Sequence, residues 1–489
     1  MDKIDLLLVN PSDRSLYQEL GSSISGVEPP FWAGLIASFI RRHSYLVAIL
    51  DADAENLSPE EVADRAIEYK PLLTAVIAQG SAPATSSTPK MAPAGEFLKA
   101  LKRKTPHLTA ILGGIHPSAL PERTLHEEYE VDFICQGECF TSILDLLNGI
   151  HDQGDWLSIK GLWYRTGDGI RGSPRPGLIS EKDLPPVAWD LLDMTKYRAH
   201  NWHCLDSLDQ RSPYAVIYTS LGCPYNCDFC NIHQMYLGDK PSIRYRKPED
   251  VVEEIDLLVT RYGVRNIKVM DELFTLKKDY VHRLCDLIIK RGYDLNIWAY
   301  GRVGLVDYEM LKKMKRAGIN WVCYGFESAS EVVRRGVAKR FGQSKMHKTI
   351  QMTYDAGMHI QANFIFGLPS DNLETMQDTL EMAKAYNFEW VNCYCAMAYP
   401  GSKLYDDAIK NGTRLPETWA VYGQYSEGFL PLPTKHLSGE EVLRFRDKAF
   451  KEYFTNPRYL RMIERKFGEK AVDHIKEMLK HEIKRRWLN

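Results

Sequence analysis

Over the first 150 residues of this 489-residue chain, short continuous apolar runs alternate with longer amphipathic stretches. The runs at 4–9, 45–50, 72–78, 108–112 and 131–135 predict strands, and their lack of polar alternation predicts a sheet covered on both faces. The amphipathic stretches at 31–42, 59–69, 91–103, 121–129 and 140–147 predict helices. Ser58-Pro59-Glu60-Glu61 opens the second of them with a capping serine, proline at the first helical position and acids in the first turn. Such alternation predicts a doubly wound parallel sheet, whose ligand loops gather at the carboxyl ends of the strands. Those loops are short and built from small residues: Asn10-Pro11-Ser12, Gln79-Gly80-Ser81, Gly113-Gly114-Ile115-His116-Pro117 and Gln136-Gly137-Glu138. They read equally as tight strand–helix turns or as backbone left open for a bulky ligand.

The pattern changes over 151–211. Gly161-Leu162-Trp163-Tyr164-Arg165 followed by Thr166-Gly167-Asp168-Gly169 predicts a hairpin, and Pro174, Pro176, Pro185 and Pro186 predict extended chain. This segment reads as a linker with a little β structure of its own. Alternation then resumes, with strands at 215–220, 266–270, 295–300, 321–326, 360–366 and 390–396. Helices fall at 248–262, 278–291, 308–317, 343–356 and 373–386. Six such repeats predict a barrel or partial barrel with its chemistry at the strands' C-terminal ends. The remainder is mostly helical. The expected division is 1–150, 151–211, 212–410 and 411–489.

Charge and composition exclude several classes. Lys and Arg total 62 against 64 Asp and Glu, so nothing global points to nucleic acid. Ten cysteines are too few for a disulfide scaffold at this length. The longest apolar stretch, 29–40, is too short for a bilayer, which needs about 20 residues. The start interleaves charges with apolar residues, and the working expectation is a cytoplasmic protein. Over 471–489, Val472, Ile475, Leu479, Ile483 and Trp487 share one helical face with lysines and arginines elsewhere. A basic amphipathic helix of that kind lies on an anionic membrane or, more commonly, docks on the neighbouring domain, which is the reading preferred here.

Placement of the cysteines carries more than their number. Cys223, Cys227 and Cys230 fall in Leu221-Gly222-Cys223-Pro224-Tyr225-Asn226-Cys227-Asp228-Phe229-Cys230, just after the first predicted barrel strand. A loop with these spacings can wrap one iron–sulfur cluster and put a thiolate on each of three irons. Cys204 and Cys285 are too distant in sequence to be its obvious fourth ligand, which leaves one iron open to a substrate or cofactor. The alternative is a zinc knot with His233 as the fourth ligand. Cys393 and Cys395 alternate on the sixth strand and face one way; they read as core residues, with one available near substrate if that face is the barrel interior.

Cys-x3-Cys-x2-Cys with Phe229 before the last cysteine resembles the radical S-adenosylmethionine (SAM) superfamily, and the resemblance runs in order through residues 214–400. It implies a 4Fe-4S cluster on the three cysteines, SAM on the fourth iron, and Phe229 near the adenine. Asp271 and Glu272 end the second strand where the family has a glycine-glycine-glutamate motif for the SAM amino group; the glycines are missing, and a helix-capping acid pair is the other reading. Arg302 follows the third strand, where it could meet the SAM carboxylate or lie on the surface. Gly325-Phe326-Glu327-Ser328 resembles the ribose motif, which implies contacts from Glu327 and Ser328, with Ala329 where glycine is common. The run 363–369 resembles the adenine-binding fifth strand, implying contacts from Ile365, Gly367 and Pro369, and Tyr399 opens the loop after the sixth strand.

A flavodoxin-like domain ahead of such a barrel resembles the cobalamin-binding subfamily. The implied contacts are Ser12, Gln79, Gly80, Ser81, Gly113, Gly114, His116, Gly137 and Glu138. The Asp-x-His-x-x-Gly motif, whose histidine ligates cobalt, is missing: none of His43, His107, His116 or His126 has that context. The lower face of the ring would then see the loop around Gln79-Gly80-Ser81.

The subfamily implies methylation of an unactivated carbon, or of phosphorus, through a 5′-deoxyadenosyl radical and methylcobalamin. It implies an electron donor of the flavodoxin or ferredoxin type and a small-molecule or lipid-like substrate. Oxidative cyclisation or ring rearrangement is the alternative with the same cofactors, and a cobalamin- or metal-binding regulator is the non-enzymatic one. Methylthiotransferases carry three amino-terminal cysteines for a second cluster, and the first 130 residues here have none. The substrate would be read by the barrel mouth, the linker and the C-terminal helices, where Trp202, Trp419, Tyr422 and Tyr425 stand out.

Overall fold

A computed structural model describes residues 3–20, 24–80, 87–152, 154, 156–236 and 243–488. The first sheet contains β1 (Leu6–Asn10), β2 (Val47–Asp51), β3 (Leu73–Ile77), β4 (Thr109–Gly113) and β5 (Phe133–Cys135), parallel in the order 2-1-3-4-5. This is the flavodoxin-like order, whose topological switch point lies between β1 and β3. β1 and β3 are buried along their whole length, as their unbroken apolar runs predict. Ser58 caps the helix Pro59–Glu68 in a reciprocal box with Glu61.

The hairpin of β6 (Leu162–Thr166) and β7 (Gly169–Gly172) corrects the expected linker. β6 pairs antiparallel with β5, so the first sheet has seven strands and continues past residue 150. Without the hairpin, β5 would leave a row of unpaired backbone groups at the sheet edge.

The second sheet is a partial barrel of six parallel strands: β8 (Tyr214–Ile217), β11 (Asn266–Val269), β12 (Asn296–Gly301), β13 (Ile319–Glu327), β14 (His359–Phe366) and β15 (Trp390–Cys395). They neighbour one another in sequence order, with β8 and β15 at the open edges. The first predicted barrel strand is divided in two. Its end, β9 (Ser220–Leu221), leaves the barrel and pairs with β10 (Arg244–Tyr245).

The apolar stretch predicted as a helix forms Phe31–Arg41 and is wedged between the two sheets. Phe31 meets Tyr218 edge-on with ring centroids 5.5 Å apart, and Trp32 meets Tyr236 at 6.1 Å. Contact on both sides explains why this helix is apolar nearly all round. At Gly34 a Cβ would fall 2.5 Å from Val187 Cγ1, so only glycine admits the chain crossing there. Glu254 fixes that crossing by accepting from the Trp189 indole N–H at 2.7 Å and the Val187 N–H at 3.1 Å.

The C-terminal tail differs from a single amphipathic helix. Helix spans Glu469–Met478, and the chain beyond it docks: Arg485 is buried, and the Trp487 indole donates to the Gly428 carbonyl at 2.9 Å. Among the described residues, no helix is long and apolar enough to cross a membrane.

Candidate functional site

Cys223, Cys227 and Cys230 sit half-buried on the loop that leaves the barrel at β9. Asp271, just past β11, pins the start of that loop, accepting from the Thr219 N–H at 2.6 Å, the Thr219 hydroxyl at 2.5 Å and the Ser220 hydroxyl at 2.7 Å. Both of its oxygens are thus engaged by the loop. Glu272 accepts from the Tyr236 hydroxyl at 2.8 Å and the Gly222 N–H at 3.0 Å. Burial pushes its carboxyl up to about 7 against those two donors, so a cationic partner would lower the cost of its charge.

Two cations flank Cys227. Arg302 stacks 3.8 Å from the Tyr225 ring centroid and places Nη1 3.9 Å from Cys227 Sγ. Lys339 donates to Glu327 Oε1 at 2.7 Å and lies 5.9 Å over the Phe229 ring. Burial pushes the Cys223 and Cys230 thiols up to about 11 and about 12. Three free thiols on one loop with guanidinium and ammonium beside them fit an anionic, thiolate-held iron–sulfur cluster. His233 Nε2 meets the Tyr225 carbonyl at 2.8 Å, and among the described residues no group of three or more His, Cys, Asp or Glu side chains converges on a single metal ion as a zinc knot would require.

Glu327 has φ +65°, left-handed backbone unusual for a side chain of its size, where the β13–β14 register shifts between Gly325 and Glu327. Strain of this kind persists only where surrounding structure enforces it, and it collects at ligand sites. Phe229 and Ile365 pack on a small apolar cluster with Val333, Val337, Leu368 and Ala396. Ser328 is buried, its hydroxyl accepting from the Ser330 N–H at 3.1 Å. The Gly367 N–H donates to Asp371 Oδ2 at 3.1 Å, and the Pro369 carbonyl accepts from the Lys435 N–H at 3.1 Å.

A cavity of about 360 Å³ separates the switch point of the first sheet from the barrel interior. Asn10, Gln79, Gly80 and Lys90 line one side, and Lys268, Trp298, Tyr300, Asn363, Asn392 and Tyr394 line the other. Tyr399 also lines it, with its hydroxyl donating to the Tyr422 carbonyl at 3.3 Å. Tyr300 and Arg302, two residues apart on β12 and its extension, connect the cavity to the cysteine loop over about 7 Å of chain.

Other expected contacts lie around rather than on this cavity. Ser12 donates to Asp53 Oδ1 at 2.9 Å, and Asp53 lines it. Gly113 and Gly114 end β4 beneath Ala78, Ser87 and Cys139. His116 is buried with Nδ1 3.2 Å from the Thr88 hydroxyl and its ring edge-on to Trp419, and burial pushes it down to about 3. The Gly137 N–H donates to the Ser118 hydroxyl at 2.9 Å, while Glu138 forms a buried ion pair with Arg244. Ser81 is outside the described residues. Cys393 and Cys395 face away from the cavity: Asn392 and Tyr394 line it, and the two-residue period of a strand sends the cysteines into the core behind.

Residues 217–383 match the radical SAM superfamily, and residues 18–143 match the B12 binding domain. This chain joins a B12-binding domain to a radical SAM domain. Together the two domains imply a 4Fe-4S cluster, SAM and cobalamin. An uncharacterised methyltransferase of Pyrococcus horikoshii is 26% identical over 456 residues, covering 93% of each chain. An anaerobic magnesium-protoporphyrin IX monomethyl ester cyclase of Rubrivivax gelatinosus is 27% identical over 82% of this chain and 69% of its own. In fold, the radical SAM methyltransferase TsrM of Kitasatospora setae, solved with cobalamin and a 4Fe-4S cluster, superposes with a TM-score of 0.69 at 16% identity. That match covers 94% of this chain and 90% of TsrM.

Proposed function

We propose that this radical SAM protein is a cobalamin-dependent methyltransferase acting on an unactivated carbon, or on phosphorus, of a small molecule. The observation that carries the reading is the shared cavity: the switch-point loops of the B12-binding domain and the interior of the radical SAM barrel open into the same space. When bound, SAM on the cluster supplies a radical that takes hydrogen from an inert C–H bond, and cobalamin supplies the methyl group.

The residues would act by binding, orientation and exclusion of water. Cys223, Cys227 and Cys230 would hold the irons, with Asp271 keeping their loop in place through Thr219 and Ser220. Glu272 would receive the SAM ammonium and Arg302 its carboxylate, the first beside Gly222 and the second beside Cys227 on the cysteine loop. Glu327, held by Lys339, would face the ribose, and Phe229 with Ile365 would offer the apolar surface for the adenine. Asn10, Gln79 and Lys90 would meet the amide-rich rim of cobalamin, and Gly80 would admit its ring closely. The reading requires an external one-electron donor of the flavodoxin or ferredoxin type.

The test is anaerobic turnover of the reconstituted protein with labelled SAM and candidate substrates. S-adenosylhomocysteine together with 5′-deoxyadenosine is the expected product pair, and 5′-deoxyadenosine alone would reassign the protein to cyclisation or rearrangement. Cys230→Ala should abolish cleavage of SAM; a variant that still cleaves it would overturn the site assignment.

A further inference from the structure

Arg446 and Arg485 are buried beside the cavity, 3% and 5% exposed. Both pair with one carboxylate. Arg485 forks onto Asp447 with contacts of 3.0 and 3.2 Å, and Arg446 Nη1 donates to the same group at 2.7 Å. The pairs on the other walls balance: Lys268 with Glu28 at 3.0 Å, and Lys90 with Asp13 at 3.6 Å. Two guanidiniums on one carboxylate leave an excess positive charge in the protein interior, an arrangement that is expensive unless an anion arrives.

Two donors on this side of the cavity have no acceptor among the described residues. Arg446 directs Nε to the Cys393 carbonyl at 2.7 Å, and Nη2 has no acceptor among the described residues. Tyr394, also on the cavity wall, accepts from the Asn392 amide at 3.1 Å and gives its own hydroxyl proton to no acceptor among them. Arg446 is further framed by the Tyr425 and Phe450 rings, 5.4 and 5.9 Å from its guanidinium carbon. A planar cation against aromatic rings, with the Tyr394 phenol lining the same cavity, suits an oxyanion carried on a flat or apolar body.

We infer that Arg446 and Tyr394 form an anion subsite on the barrel side of the cavity, taking a carboxylate, phosphate or phosphonate group of the ligand. The inference rests on the reading of this cavity as the substrate and cobalamin chamber. The anion has two possible sources, an acidic substrate or the phosphodiester of the cobalamin tail.

Calorimetric titration of the full chain, with and without cobalamin, would use 2-naphthoate and phenylphosphonate as acidic probes and 2-naphthamide as the neutral one. The acids should bind more tightly than the amide. Arg446→Gln and, as the milder change, Tyr394→Phe should each weaken the acids about tenfold or more and leave the amide unchanged. Parallel titrations with cobalamin and with cobinamide, which lacks the phosphodiester, assign the source. A variant defect confined to cobalamin assigns the subsite to its tail, and a defect in acid binding to cobalamin-loaded protein assigns it to the substrate. Equal affinity for acid, amide, cobalamin and cobinamide in the wild type and in folded Tyr394→Phe would overturn the subsite. Failure of the wild type to take up any corrinoid would instead overturn the functional reading, while the acid titration still scores the subsite.

Discussion

Glu128 follows the helix Pro121–Glu127 and is buried, with Oε2 facing Gly95 and no hydrogen-bond partner among the described residues. Burial pushes its carboxyl up to about 7 from an ordinary 4.5, with Lys99 opposing the shift and Glu127 and Glu130 adding to it. The folded chain therefore holds this proton more tightly than the unfolded chain. The stability it contributes is complete below pH 4.5 and is lost as pH rises through 7. Glu128→Gln should raise stability by about 2 kcal/mol at pH 8 and by almost nothing at pH 4.5, measured by denaturant unfolding. An equal gain at both values would mean that packing, not charge, is responsible. Arg302 offers a second test at this scale. Arg302→Met keeps an unbranched side chain and removes the guanidinium that lies over Tyr225 and beside Cys227. SAM affinity should fall about tenfold or more while the cluster's visible absorption persists. Unchanged SAM affinity would remove Arg302 from the site.

Among the elements, β11 is tied to the segment ahead of the helix Phe31–Arg41 by a buried ion pair. Lys268 donates to Glu28 at 3.0 and 3.1 Å and lies 4.8 Å over the Trp298 ring. Burial works to raise the Glu28 carboxyl, but Lys268 and His200 outweigh it and hold it at about 2. Glu28→Gln leaves the ammonium buried without its countercharge and should cost about 3 kcal/mol at pH 7. With a depressed folded value, that contribution is present above pH 4.5 and is lost as pH falls toward 2, so variant and wild type should converge in acid. A gap that stays constant down to pH 2.5 would refute the charge explanation. The strands and helices themselves were readable to within a few residues, because continuous apolar runs and capping sequences are local. Long-range pairing was not. Nothing in residues 161–172 announces that they extend a sheet whose preceding strand ended at Cys135. Nothing in the run 215–220 shows that Asp271, 52 residues beyond Thr219, bends its end out of the barrel. The cysteine loop was legible for the same reason that the strands were: its three thiols lie within eight residues. Lys268, Asn363, Asn392 and Arg446 each come from a different element with no shared spacing, and only the fold brings them to one cavity. Tyr225 and Tyr236, which meet Arg302 and Glu272 at the cysteine loop and not in the cavity, lie close in sequence to the cysteines and so had a local signal.

At the scale of the whole molecule, the amino-terminal part is joined to the rest of the chain at several independent places. Glu138 meets Arg244, Glu28 meets Lys268, and the Gln18 amide donates to and accepts from the Lys484 backbone, contacts of 3.2 and 3.0 Å. The cavity between the sheets takes residues from both, so a ligand there adds contacts to both at once. Cobalamin should therefore stabilise the chain as a unit rather than its amino-terminal sheet alone. At a free concentration one hundred times its dissociation constant, a ligand that binds only the folded state adds about 2.7 kcal/mol. Spread over a chain of this length, that corresponds to a rise of about 3 °C in melting temperature. Calorimetry of the full chain should show one transition moving upward with cobalamin. Two transitions, of which only one responds, would mean that the ligand sits within the first domain and that the interface is weaker than its buried ion pairs suggest. In that case the shared cavity could not be the place where the two cofactors meet.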